Sequence, residues 1–236
     1  MSFFFVSIQG SYAPVQIALF DHDTCLEVIT KDDTKASSHL IPYIDQLLTT
    51  HRVAREDLSF IAVDKGPGAF TSLRVTIATV NGIAFSHKIP LIGISGLDAL
   101  AYEIYSRNQQ LPVTHIAILL NAYNNDVYFG LYEIDHEQIE LIPHQEGCDN
   151  ISLVLQELQE RLADHTILFA GNGVALHQER IQERFGTSAH FDTSHQATSS
   201  AHGVGIIAYH HWQTGGEKTY IIQPHYLKTQ AFAIKK

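Results

Sequence analysis

Three short apolar stretches open the chain, FFFVSI (Phe3–Ile8), PVQIALF (Pro14–Phe20) and CLEVIT (Cys25–Thr30), each bounded by polar or turn-forming residues. Their length and their β-branched and aromatic content predict strands, with Asp21-His22-Asp23 as the hairpin turn between the second and third. The period then changes. In ASSHLIPYIDQLLTTH, Leu40, Ile44, Leu47 and Leu48 recur at helical spacing, with Ile41 beside them. Proline is tolerated only in a first turn, so Pro42 sets the start of this helix near Ser38. The strand SFIAV (Ser59–Val63) follows, then a Gly-Pro-Gly turn and a long helix to Phe85. That helix is apolar or small on almost every side: Leu73, Val75, Ile77, Ala78, Val80, Ile83, Ala84. PLIGI (Pro90–Ile94) is a further strand, and Ser95 and Asp98 have the spacing of a capping box for a helix through Tyr105.

SRNQQLP (Ser106–Pro112) is polar, ends at proline and marks a crossing between subdomains. Beyond it the pattern predicts strands at Thr114–Leu120, Asp126–Ile134 and Ile139–Ile142, then a helix over Ile151–Ala163 and a strand at Thr166–Phe169. AGNGV turns into a helix over Ala175–Phe185, His190–Ser200 is a polar loop, and AHGVGIIAYHHW is the last helix. Gly203 and Gly205 weaken that helix by about 1 kcal/mol each, which points to a close approach by another backbone. The order of the first half returns in outline in the second, without a recognisable sequence repeat.

The 236 residues suit one large domain or two small ones, and 45% apolar content with only 17% charged residues argues for a packed core over disorder. A net charge of −10 disfavours a chain that grips nucleic acid by itself, since phosphate contacts need clustered Lys and Arg. It leaves open a subunit whose partner supplies the basic surface. Cys25 and Cys148 stand far apart and give neither a disulfide framework nor a zinc spacing. MSFFFVSIQG lacks a basic leader and is broken by Gln9, so it reads as a buried strand and not a signal peptide. No run approaches the ~18 apolar residues of a membrane helix, and a reducing cytoplasm is the expected compartment. The 15 histidines include no same-face i, i+4 pair, so they read as surface or polar-satisfied groups and not metal ligands. No GxSxG elbow is present, and Cys25 lies inside a strand, so no nucleophile triad can be assembled.

The chemistry concentrates at DKGPGAFTSLR. Gly66 and Gly68 allow positive φ or a close backbone approach, Pro67 fixes φ between them, and Thr71 or Ser72 is placed to cap the helix. Such a turn either holds an anion against a helix N-terminus or is a tight connection with nothing bound. Gly66, Pro67, Gly68 and Thr71 are the candidate anion or nucleotide contacts, with Asp64 either serving a ligand or capping or orienting the turn.

GPGAFTSLR followed by a helix of small and aliphatic residues resembles the TsaB (YeaZ) family. The family's GPG-S-F-T-G-x-R signature is read at Gly66, Pro67, Gly68, Phe70, Thr71 and Arg74, with Ala69 where Ser is usual and Ser72 where Gly is usual. IPLIGISGLDALA (Ile89–Ala101), NNDVYFGLY (Asn124–Tyr132) and PHYLK (Pro224–Lys228) are similar to later segments of the family in the same order, so the resemblance spans most of the chain. It implies an α/β chain with the two-lobed actin-like ATPase (ASKHA) or ribonuclease-H-like fold. Residues 1–106 with about 198–236 would form the N-terminal lobe, including the returning last helix, and 107–197 the second lobe. It further implies a non-catalytic subunit that dimerises with a TsaD-like catalytic subunit, supporting threonylcarbamoyl transfer to the adenosine next to the tRNA anticodon. A TsaE-like ATPase would also join. The tRNA would be met only through the complex. ATP, threonine and bicarbonate would be used by the other proteins, and no cofactor is expected on this chain. The resemblance places the partner surface on two adjacent helices, at Leu40, Ile44, Leu47 and Leu48 and at Leu73, Arg74, Ile77, Ala78, Asn81 and Gly82. A second copy would cover it when the partner is absent.

Departures from the family bear on chemistry. ATP-using relatives of the fold carry an acid at the end of the first strand, where this chain has Gln9. A neutral amide is a poor Mg²⁺ ligand and no base. The HxxxH metal pair of TsaD is missing. In the second lobe the family's acid and Arg before Glu-Val-Tyr are replaced by Asn121 and Tyr123 before Asp126-Val127-Tyr128, and a strand packing Val127 and Phe129 on one face accounts for that segment. The alternatives are a free-standing small-molecule kinase or peptidase-like enzyme of the same fold, and a regulatory module that keeps the turn as an anion site.

Overall fold

A computed structural model describes residues 3–32, 39–135, 140–194, 196–216 and 218–228, apart from the side chains of 135 and 140–144. The chain divides into two compact units, Met1–Glu103 with Thr198–His225, and Ile104–Ala197 with Tyr226–Lys236. The expected first lobe ran on to residue 236. Among the described residues, 226–228 fall with the second unit, where Lys228 pairs with Asp126 at 2.8 Å; residues 229–236 lie outside the described set.

In the first unit β1 (Phe4–Gln9), β2 (Val15–Asp21), β3 (Thr24–Lys31), β4 (Leu58–Asp64) and β5 (Leu91–Ile94) form one sheet in the order β3-β2-β1-β4-β5. The β1–β2 and β2–β3 pairs are antiparallel, and β1–β4 and β4–β5 are parallel. Helices α1 (Leu40–His51), α2 (Phe70–His87) and α3 (Gly96–Arg107) follow β3, β4 and β5. The second unit repeats this plan. Its strands β6 (His115–Asn121), β7 (Asp126–Asp135), β8 (Glu140–Asn150), β9 (Ile167–Ala170) and β10 (Ala189–Phe191) lie in the order β8-β7-β6-β9-β10 with the same alternation of directions. Helices α4 (Ile151–Arg161) and α5 (Val174–Phe185) follow β8 and β9, while α6 (Ala201–Gln213), which comes after β10 in the chain, belongs to the first unit.

The two-residue period of β1 sets the layers. Val6 and Ile8 join a core with Leu40, Ile44, Leu47 and Leu48 of α1 and Leu73, Ile77, Val80 and Ala84 of α2. Phe5 turns the other way and packs with Phe20, Phe60, Ala62 and Ile92 under Ala201, Val204 and Ala208 of α6. Phe5 stacks on Phe20 at 4.8 Å and on Phe60 at 4.3 Å, and Trp212 closes the stack 5.0 Å from Phe60. In the second unit Ala117, Leu119, Val127, Leu131, Ile167 and Phe169 of the sheet pack on α4 and α5.

Several sequence expectations are corrected. Helix α1 is described from Leu40, and Ser38 lies outside the described residues; Pro42 sits in the first turn. Strand β8 runs Glu140–Asn150, well beyond the expected Ile139–Ile142, because β7 pairs with it along that length despite its polar sequence; residue 139 is outside the described set. Strand β10 (Ala189–Phe191), whose last two residues fall in the expected polar loop, forms by parallel pairing with β9. Gly203 and Gly205 make room for side chains and not for a backbone. A Cβ on Gly203 would lie 2.5 Å from Glu103 Cδ, and one on Gly205 would lie 2.4 Å from the Phe20 ring.

Candidate functional site

The apolar strand β4 ends at Asp64, whose side chain is completely buried. Burial of a carboxyl requires donors, and three converge on it. Ser11 Oγ donates to Oδ2 at 2.6 Å, Ser199 Oγ to Oδ2 at 2.9 Å, and the Gly66 N–H to Oδ1 at 2.7 Å. Burial nevertheless pushes this carboxyl above the usual carboxylate range, against the lowering pull of those three bonds. A Cβ on Gly96 would stand 2.8 Å from both Asp64 oxygens, so that glycine lets α3 start directly against the carboxyl. Asp64 therefore ties together the loop after β1, the glycine turn and the segment leading into α6.

Gly66 has φ of +104°, and its peptide bond to Pro67 is cis. Gly68 is needed for a different reason: a Cβ there would fall 2.6 Å from the Ser11 carbonyl oxygen. Three of the turn's N–H groups are already engaged, Lys65 N with Ile94 O at 2.9 Å, Gly66 N with Asp64, and Ala69 N with Ser11 O at 2.8 Å. Gly66 and Pro67 are buried, which leaves half-buried Gly68 and exposed Thr71 as the parts of the expected anion turn that face outward. Thr71 does not cap the helix. The cap residue of α2 is Ala69, which has no side chain to do so. Ser95 does not complete a capping box either; α3 starts at Gly96, and the Ser95 hydroxyl is buried without a hydrogen-bond partner among the described residues. Gln9 is buried at the end of β1, oriented so that its amide nitrogen donates to Pro14 O at 2.9 Å and its oxygen accepts from Tyr12 N at 3.3 Å.

The expected partner surface divides. Leu40, Ile44, Leu47 and Leu48 of α1, with Leu73 and Ile77 of α2, are interior residues of the first unit's core. Their apolar stripe is spent on the chain's own sheet, each side chain stabilising the fold by about 1.5–3 kcal/mol, and a partner cannot reach it. Asn81 is also occupied. Its amide donates to Ile222 O and accepts from Ile222 N, both at 2.9 Å. Arg74, Ala78 and Gly82 remain, and all three are exposed along one side of α2. The Arg74 guanidinium lies 3.7 Å from the Phe70 ring centre, a Cβ on Gly82 would meet open space, and Phe85, at the end of the same side, is 86% exposed.

In the second unit Val127 is buried and Phe129 packs beside it. The charge at Asp126 is answered from the far end of the chain, where Lys228 Nζ reaches Asp126 Oδ2 at 2.8 Å and Ala122 O at 2.9 Å. Lys228 and Asp126 lie far apart along the chain, and the PHYLK segment is the one local mark of this pair in the sequence. Tyr123, Asn124 and Asn125 between β6 and β7 all have positive φ, and Asn121 Oδ1 accepts from Tyr123 N at 2.8 Å. The Cys25 and Cys148 thiols are both pushed up by burial, which disfavours the reactive thiolate.

Two strand-helix units of matching order are the plan of the actin-like, ASKHA-type class. The chain has this fold in common with component A of (R)-2-hydroxyglutaryl-CoA dehydratase from Acidaminococcus fermentans, at a TM-score of 0.50 and 11% identity over 89% of this chain and 98% of that one. A much nearer structure is a Pseudomonas aeruginosa protein described as similar to peptidase YEAZ. It has a TM-score of 0.76 and 26% identity, and the match covers 96% of this chain and 100% of that one. The family model described as "TsaD: tRNA N6-adenosine threonylcarbamoyltransferase" matches residues 31–236. The Bacillus subtilis "tRNA threonylcarbamoyladenosine biosynthesis protein TsaB" is 31% identical over 195 residues, 81% of this chain and 80% of that protein. The chain belongs to the TsaB (YeaZ) family.

Proposed function

We propose that this chain works in the biosynthesis of threonylcarbamoyladenosine in tRNA, as a non-catalytic subunit that docks a TsaD-like catalytic protein through the outward side of α2. Family membership supports the pathway. The observation that carries the docking is the exposed strip Arg74, Ala78, Gly82 and Phe85 on an otherwise core-facing helix. Small residues there allow a second helix to come close, and Phe85 offers an apolar anchor. Gln9 supports the non-catalytic part, since its amide is turned onto its own loop and offers neither a metal ligand nor a base. The charge of −10 supports an indirect meeting with tRNA. A TsaE-like ATPase would join the same assembly, and a second copy would cover the α2 strip in its absence. The cytoplasm remains the expected compartment. No described helix is long and apolar enough to cross a membrane.

The test is Ala78→Glu, mixed with the host's TsaD-like protein and run on size exclusion beside the parent. The variant keeps the parent's circular dichroism because Ala78 is exposed. A charge desolvated without a partner weakens the complex by about 3 kcal/mol, roughly a hundredfold. A folded variant with unchanged affinity moves the interface elsewhere. The parent alone, with Mg²⁺ and ATP, turns over no faster than buffer. A turnover abolished by Asp64→Asn makes the chain an enzyme.

A further inference from the structure

A cleft of about 570 Å³ opens in the first unit between edge strand β5, the C-terminal end of α6 and the segment around Thr219–Gln223. Its walls are fixed by main chain. Leu91 N donates to Thr219 O at 2.6 Å and Thr219 N returns to Leu91 O at 3.2 Å; Ile222 is held on both sides by the Asn81 amide; His225 N donates to Lys65 O at 2.7 Å. Lys65, His211 and Gln223 line this cleft, and their side chains make no hydrogen bond or ion pair among the described residues. The described lining includes no carboxylate, on a chain with 25 acidic residues. Ile221 and Ile222 supply an apolar wall. A Cβ on Gly93 would lie 3.3 Å from both Lys65 Cδ and Ile222 Cδ1, so this glycine keeps open the space between the charged stem and the apolar wall.

We infer that this cleft binds a small organic anion, a phosphate or carboxylate group carried on an apolar body. Lys65 meets the charge as a compact ammonium, His211 and Gln223 donate hydrogen bonds to the anionic oxygens, and Ile221 and Ile222 cover the apolar body. On an acidic protein an anion settles where a cation stands clear of carboxylates, and among the described lining residues Lys65 does so. Walls tied to β5, α2 and the turn after β4 are ordered before the ligand arrives, which removes part of the ordering cost of binding. The cleft does not use the exposed strip of α2, so its failure leaves the proposed function standing, and the reverse also holds.

The probes are phenyl phosphate and benzoate, which separate the two anion types, with inorganic phosphate reporting what the apolar body adds. Amide shifts in a ¹⁵N-labelled protein follow each titration. Phenyl phosphate or benzoate shifts the amides at Lys65, Gly93, His211 and Gln223 and saturates, with inorganic phosphate weaker. Lys65→Met and Gln223→Leu each weaken the preferred probe by about tenfold. Lys218→Met, a lysine outside the lining that lies over the Trp212 ring, leaves affinity unchanged. The inference is overturned if neither aromatic probe shifts these amides at about 10 mM, if inorganic phosphate binds as tightly, or if both folded cleft variants bind like the parent.

Discussion

The two units each carry a glycine turn between their fourth strand and the helix after it, and the two turns rest on different polar groups. Gly66 and Gly171 have nearly the same φ, +104° and +103°. Gly68 is pressed against Ser11 O and Gly173 against Leu119 O, and in each turn an N–H donates to that same carbonyl at 2.8 Å, that of Ala69 in the first and that of Gly173 itself in the second. The first turn stands on the buried carboxyl of Asp64. The second strand ends at Ala170, and the second turn is tied instead by Asn172 Oδ1, which accepts from Asn121 N at 2.7 Å. The duplicated fold thus makes a glycine turn twice, each time with one glycine at positive φ and a second pressed against a carbonyl oxygen. Its glycines alone are no sign of a ligand. The carboxyl beneath the first copy is what sets that copy apart.

The largest effect expected from this comparison is at Gly171. A valine there is strained at positive φ and also meets the Leu119 carbonyl oxygen 2.4 Å from its Cβ, an obstacle of main chain that cannot swing away. Gly171→Val should cost more than about 3 kcal/mol in urea unfolding, and Gly66→Val, whose nearest obstacle is the Leu73 side chain at 2.8 Å, about 1–3 kcal/mol. Equal costs at the two sites would remove the steric distinction between the turns.

Next in size is Asp64. Truncation to alanine strands two hydroxyls and an N–H, an expected cost of about 2–4 kcal/mol. The pH dependence is more specific. Because burial raises this carboxyl, the folded protein holds the proton more tightly than the unfolded chain does. Its contribution is therefore full below the ordinary carboxylate value and falls as pH rises toward the raised folded value. The stability advantage of the parent over Asp64→Asn should shrink across that window when urea midpoints are compared from acid to neutral pH. A difference that grows with pH would mean that the three donors outweigh burial.

The smallest effect is a gain. Ala69 caps α2 with extended backbone, φ −63° and ψ 116°, and no side-chain acceptor. Ala69→Ser should add about 0.5–1 kcal/mol, read as a higher thermal midpoint. No gain would mean that the turn already satisfies the first N–H groups of the helix.

The periodicities of β1–β5 and of α1 were plain in the sequence, because a half-buried strand and an amphipathic helix write burial into the residue order. What that order does not record is the identity of the cover. Leu40, Ile44, Leu47 and Leu48 read equally well as facing a partner or facing the chain's own sheet, and the structure gives them to the sheet. Asn81 carried no local signal, since its partner Ile222 lies in the C-terminal segment. Strand β10 was too short to show a period and exists through its pairing with β9. The exposed strip on α2 had a faint mark in sequence: Ala78 and Gly82 are small at four-residue spacing, and Arg74 continues the same spacing.

The first unit is begun by the first residues of the chain and completed by Thr198–His225. During synthesis, the aromatic stack of Phe5, Phe20 and Phe60 therefore leaves the ribosome long before Ala201, Val204 and Ala208 exist to cover it. The second unit's sheet, continuous from β6 to β10, is made in between. The N-terminal half must wait with an apolar face uncovered, the circumstance in which a nascent chain is most exposed to aggregation and most dependent on chaperones. A chain truncated before α6 would keep every strand of that first sheet and still be unable to close it.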